Sequence, residues 1–92
     1  MAQIKINVRG ISLNVDPEAL DDMELLEDLA GLDEGNALSF THIGPRLFGK
    51  EQNKKIYDVI RSENGRVKAS EYGAFLADAL TAIKDANEQA KN

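Results

Sequence analysis

The chain has no cysteine, no tryptophan, two prolines and one histidine, and it carries no lysine or arginine between residues 10 and 45. Without thiols there are no disulfide staples, no thiolate metal sites and no cysteine nucleophile. His42 is then the one imidazole available to a triad or dyad, and a lone helical histidine reads as a surface residue. No apolar stretch approaches the roughly 20 residues that span a bilayer. The first residues, Met1 to Ile6, alternate in polarity instead of building the apolar core of a signal peptide. Gly31, Gly35, Gly44 and Gly49 are scattered and no Gly-Lys-Ser/Thr follows them, which argues against a phosphate-cradling loop. The expectation is a soluble intracellular protein with no catalytic residues, no metal and no cofactor.

What is present is enough for one small domain. Among 92 residues there are 24 Leu, Ile, Val and Phe side chains, too many for a disordered chain and enough for a single thin core. Because ordering each residue costs roughly 1–2 kcal/mol and burying each such side chain returns roughly 1.5–3 kcal/mol, the margin is small and self-association would add to it. The formal charge of −5 is unevenly placed. Residues 1–9 carry Lys5 and Arg9, residues 10–45 carry nine acids and no base, and residues 46–92 return to a slight basic excess. Such an acidic block repels nucleic-acid phosphate and favours a basic protein partner, or a basic patch on a second copy.

Ile4, Ile6 and Val8, then Ile11, Leu13 and Val15, alternate with polar residues around Arg9-Gly10, which predicts a β-hairpin over 3–15 with one apolar face. Asp16-Pro17 ends it and opens a short turn through Leu20. Asp21 or Asp22 reads as the cap of a helix over 22–32, with Leu25, Leu26, Leu29 and Leu32 inside and acids outside. A second helix over 36–48 contains Gly44-Pro45, which predicts a kink near Ile43. A third, over 50–62, offers Ile56, Val59 and Ile60 as its apolar stripe and is followed by a turn at Gly65. A fourth, over 69–88, buries Tyr72, Phe75, Leu76, Ala79, Leu80 and Ile83, and residues 84–92 form a polar tail expected to fray. The fold class is α+β, a hairpin packed on about four helices in one domain spanning 1–92.

Two clusters invite a chemical reading. The neighbouring carboxylates Asp21/Asp22 and Glu27/Asp28 diverge by about 100° around a helix and do not share a site, so they read as caps and solvated faces. With Gly65 at the glycine of an EF-hand loop, Asn64 becomes an oxygen ligand and Glu71 the closing carboxylate, yet the first ligand falls on Ile60 and a later one on Lys68. An aliphatic first ligand and a cation in the coordination sphere disfavour this degenerate calcium module. Another reading is an acidic inhibitor of a basic nucleic-acid-binding protein. The segment Phe40, Ile43, Leu47 and Phe48 either closes the core over the hairpin or moves to uncover an apolar patch for a partner.

Val15-Asp16-Pro17, the run Asp21-Asp22-Met23-Glu24-Leu25-Leu26-Glu27, the run Leu47-Phe48-Gly49-Lys50-Glu51-Gln52, and Gly65-Arg66-Val67 before a final amphipathic helix together resemble the short tail assembly chaperones of long non-contractile-tailed bacteriophages and prophages. The resemblance runs over nearly the whole chain in order, and departs at Gly44-Pro45, where that family runs a smoother helix. It implies a non-catalytic assembly factor of the host bacterial cytoplasm. Such a factor coats and solubilises the tape measure protein, leaves as the major tail protein polymerises, self-associates, and is often also made as a longer frameshifted form. Ala90-Lys91-Asn92 is compatible with a slippery codon run for such a frameshift. Neither nucleic acid nor membrane is an expected partner. The partner-binding candidates are the acids Asp22, Glu24, Glu27 and Asp28, the apolar Phe40, Ile43, Leu47 and Phe48, and the basic Arg46, Lys50, Lys54 and Lys55. Head-to-tail contact between acidic and basic regions of successive copies would build an open-ended assembly.

Overall fold

The computed structural model describes residues 3–35 and 37–90. Strands β1 (Ile4–Val8) and β2 (Ile11–Val15) pair antiparallel with Ile6 opposite Leu13 and Val8 opposite Ile11. Their two-residue turn has Arg9 at φ 51° and Gly10 at φ 85°, the left-handed pair whose twist suits a tight hairpin. Alternation sends Ile6, Val8, Leu13 and Val15 to one buried face and leaves Lys5, Asn7, Ser12 and Asn14 in solvent.

A hairpin with one apolar face needs a cover, and three helices supply it. Asp16 caps a 3-10 turn (Pro17–Asp21) by accepting the Glu18 N–H at 2.9 Å. Asp22 does the same for α1 (Met23–Asp33) at the Glu24 N–H, also at 2.9 Å, an arrangement typically worth about 1 kcal/mol. A second 3-10 turn (Ala37–Ser39) leads into α2 (Phe40–Ile60), and α3 (Ala69–Ala90) is the last described element. Strand β1 lies along α3, β2 lies along α2, and α1 packs on α2. Phe75, Leu13, Leu25, Ile43, Ile56 and Ile83 meet in the centre with essentially no exposure. Gln52 of α2 brackets the outer strand: its Oε1 accepts the Asn14 N–H at 2.8 Å and its Nε2 donates to the Asn14 carbonyl at 2.9 Å, which occupies backbone groups that a bare sheet edge would leave open. The architecture is the expected α+β one.

The chain departs from expectation at the second helix. Gly44-Pro45 produces no break near Ile43; helical geometry continues through it and fails only at Gly49, with φ 78° and ψ 162°. Pro45 stands in the second turn of α2, and the carbonyl that its missing N–H would have met belongs to Thr41, an exposed residue where solvent can replace the lost bond. The backbone at Gly49 is in a region essentially reserved for glycine, so the direction change between the two helical runs sits there. The second run stops at Ile60, two residues before the expected 62. At the other end α3 reaches Ala90, two residues past the expected 88, in keeping with a segment rich in Ala, Lys, Glu and Gln. The expected start of the second helix at residue 36, and the residues 91 and 92, lie outside the described residues.

Candidate partner-binding surface

The twelve candidate residues separate into three environments. Ile43, Leu47 and Phe48 are buried in the core, where they close the space beneath the hairpin and present no surface in this conformation. Phe40 is half-buried at the start of α2. Lys50, Lys54 and Lys55 stand exposed on the second run of α2 and form no ion pair with the described residues.

The acidic helix is partly neutralised within the chain. The Arg46 guanidinium of α2 donates to Asp28 at 3.1 Å and to Glu24 at 3.3 Å, one helical turn apart on α1. Asp22 is committed to its cap. Glu27 and Glu34 are exposed and pair with no basic side chain among the described residues. Exposed ion pairs are worth at most about 1 kcal/mol each, so Arg46→Met is expected to cost less than about 2 kcal/mol in urea unfolding, with the loss shrinking as salt is added.

Leu26 and Val59 were expected inside their helices, yet they are 44 % and 60 % exposed, and Met23 is 65 % exposed. In α1 the side chains Leu25, Leu29 and Leu32 turn to the body of the protein, while Met23, Leu26 and Ala30 form a second apolar stripe toward solvent. On the body-facing stripe, Leu29 and Leu32 form the α1 wall of an open trough of about 330 Å3, with Leu76, Ala77 and Leu80 on the α3 wall and Phe40 also lining it. The Phe40 ring rests on Gly73, where an added Cβ would come within 3.0 Å of its Cζ. The spacing of Met23, Leu26 and Ala30 at i, i+3 and i+7 was the sequence signal for this second stripe; the α3 wall had none, because Leu76 and Leu80 fit a core face equally well.

A second cavity, about 350 Å3, opens on the other side of Phe40 among Tyr57, Arg61, Val67 and Tyr72. Its rings meet edge to face, Phe40 with Tyr72 at 5.7 Å and Tyr57 with Tyr72 at 5.2 Å between centroids. The Arg61 guanidinium is held by the Gly65 carbonyl at 3.0 Å and by Asp58 at 3.4 Å. In the turn weighed as an EF-hand, Asn64 Oδ1 faces the Arg66 N–H at 3.2 Å and the Ser62 hydroxyl, so its oxygen is spent inside the turn.

The Tyr72 hydroxyl points inward and donates to Asn53 Oδ1 at 2.5 Å, both residues being buried. Burial, with the neighbouring Tyr57 adding to it, pushes the Tyr72 phenol well above the ordinary tyrosine value near 10. A raised value means that above pH 10 the folded state keeps a proton the unfolded state sheds, so this contribution to stability is complete below pH 10 and falls away as pH climbs beyond it. In a Tyr57→Phe protein, where Tyr72 is the sole tyrosine, absorbance titration should show ionisation only as the fold is lost; a midpoint near 10 in folded protein would contradict this.

No family model matches the chain, nor does any curated protein or solved structure. Among the described residues no helix is long and apolar enough to cross a membrane, and no group of three or more metal-ligating side chains gathers.

Proposed function

We propose that this chain is a tail assembly chaperone of a long-tailed bacteriophage or prophage. In this reading it is a non-catalytic factor of the host cytoplasm that binds and solubilises the tape measure protein until the major tail protein polymerises around it. The observation that carries the reading is α1. The stretch with the strongest family resemblance, residues 21–27, exposes Met23 and Leu26 beside unpaired acids, and that combination suits holding an otherwise insoluble helical protein in solution. Self-association fits the same surface. With Arg46 already engaged by Glu24 and Asp28, the basic side of a head-to-tail contact falls to Lys50, Lys54 and Lys55. A longer frameshifted form would extend from Ala90-Lys91-Asn92.

Co-expression tests the function. The product of a very long open reading frame adjoining the gene should become soluble and co-purify only when this chain is present. If that product stays insoluble, or if the co-purifying partner is a DNA-binding factor, the assignment fails. Sedimentation tests the self-association: a monomer at high concentration, indifferent to salt, ends it.

A further inference from the structure

We infer that the outer edge of β1 is a docking site for one extended segment of a partner protein, which joins the hairpin as an antiparallel third strand and sets an acidic side chain opposite Lys5. The inference does not depend on the reading of the α1 surface.

The pairing register decides which backbone groups face outward. In an antiparallel ladder, opposed residues alternate between pairs that exchange both hydrogen bonds and pairs that turn their N–H and C=O away from each other. Asn14 belongs to the second kind, because its N–H and its carbonyl are both taken by the Gln52 side chain of α2 and not by Lys5, the residue opposite. The Lys5 N–H and C=O therefore point outward from β1, and the same parity holds for Asn7, opposite Ser12. The hairpin has two unlike edges. Gln52 closes the β2 edge at Asn14, whereas the four outward groups of Lys5 and Asn7 meet no hydrogen-bond partner among the described residues, and both residues are exposed. A row of open donors and acceptors at strand spacing is complementary to an extended backbone.

Side chains then specify the segment. Alternation along an added strand sets one row beside Ile4, Ile6 and Val8, on the face of β1 that lies along α3, and the other beside Lys5 and Asn7 in solvent. The first row calls for apolar side chains. Lys5 forms no ion pair with a described residue, so the position opposite it in the second row favours Asp or Glu. A second copy fits this edge less well. Its β2 edge is closed by its own Gln52, and two β1 edges paired Lys5 to Asn7 in both directions bring the two Lys5 side chains together as diagonal neighbours, where like charges oppose the contact.

The test uses the full chain and seven-residue peptides that alternate valine and threonine, with glutamate at the central outward position in one and lysine there in another. In the free protein the Lys5 and Asn7 amides should exchange with solvent faster than those of Ile6 and Val8, which bond to β2. Saturation with the glutamate peptide should slow Lys5 and Asn7 by at least about tenfold. That peptide should bind at least about fivefold more tightly than the lysine peptide, and Lys5→Glu should reverse the order. N-methylation separates strand addition from simple adhesion. A methyl on the central glutamate nitrogen, which faces the Lys5 carbonyl, should weaken binding at least about tenfold, whereas one on the next valine, whose N–H points away from β1, should change little. Lys5 and Asn7 amides already as slow as Ile6 and Val8 in the free protein, no binding of the glutamate peptide at millimolar concentration, equal losses from the two methylations, or a peptide preference indifferent to Lys5→Glu would each overturn the inference. Slowing of the same two amides by dimerisation alone would also overturn it, by giving the edge to a second copy.

Discussion

Gly44→Ala is expected to destabilise the protein by about 3 kcal/mol, more than a glycine-to-alanine change in a helix would suggest. In an ordinary helix interior the substitution stabilises, by up to about 1 kcal/mol, because alanine is the better helix former. Here the new Cβ would stand 1.8 Å from the Tyr72 hydroxyl oxygen and 2.3 Å from Asn53 Oδ1. Both atoms belong to side chains, but neither is free to swing away. Tyr72 is 3 % exposed and wedged between Phe40 and Tyr57, Asn53 is 5 % exposed, and the two are hydrogen-bonded to each other. Accommodating the methyl means parting that bond inside the core, where an unmatched polar group costs about 1–3 kcal/mol. Denaturant unfolding of Gly44→Ala, Tyr72→Phe and the double variant checks the mechanism. Removing the Tyr72 oxygen clears the nearer obstacle, so Gly44→Ala should cost less in the Tyr72→Phe background than in the parent. Additive losses would mean that the close approach at Gly44 is not what the residue is for.

Phe75→Ala should cost about 3–5 kcal/mol, the range found when a fully buried phenylalanine is truncated. Phe75 has no exposed surface and is the largest of the fully buried side chains, on the helix that β1 lies along. Its loss leaves a cavity beneath the only sheet of the described residues, whose two strands cannot persist without that support. A domain of this size has a total stability of about 5–15 kcal/mol, so a substantial fraction of the variant should be unfolded at growth temperature. Leu26→Ala, at 44 % exposure on α1, is the comparison: it should cost under about 1 kcal/mol in the same urea titration. A similar loss at both positions would mean that the outer surface of α1 is covered.

The charge pattern changes meaning once the chain is folded. Nine acids in residues 10–45 suggest one large negative surface. In the fold Asp16 and Asp22 are consumed by capping, and Glu24 and Asp28 by Arg46, which leaves a narrower acidic rim carried by residues such as Glu27 and Glu34. The rim adjoins exposed apolar surface, and that adjacency is what gives the helix a candidate role.

By itself the sequence determined the hairpin, its turn, its buried face, the capped acidic helix and the stripe of α3. These follow from alternation around a two-residue turn, from the 3.6-residue period and from local capping chemistry, all of which are read within one element or between adjoining strands. Tertiary structure alone decided the rest. The helix break fell at Gly49 and not at Gly44-Pro45: Gly44 sits against Tyr72 of α3 and Asn53 of its own helix, and the lost hydrogen bond at Pro45 lies where solvent can replace it. Leu26 and Leu25 look alike in sequence, and only the placement of α2 and α3 leaves one exposed and the other wholly buried. The neutralisation of Glu24 and Asp28 by Arg46 and the trough beside Phe40 arise between different elements, and no local periodicity encodes which of their side chains will meet.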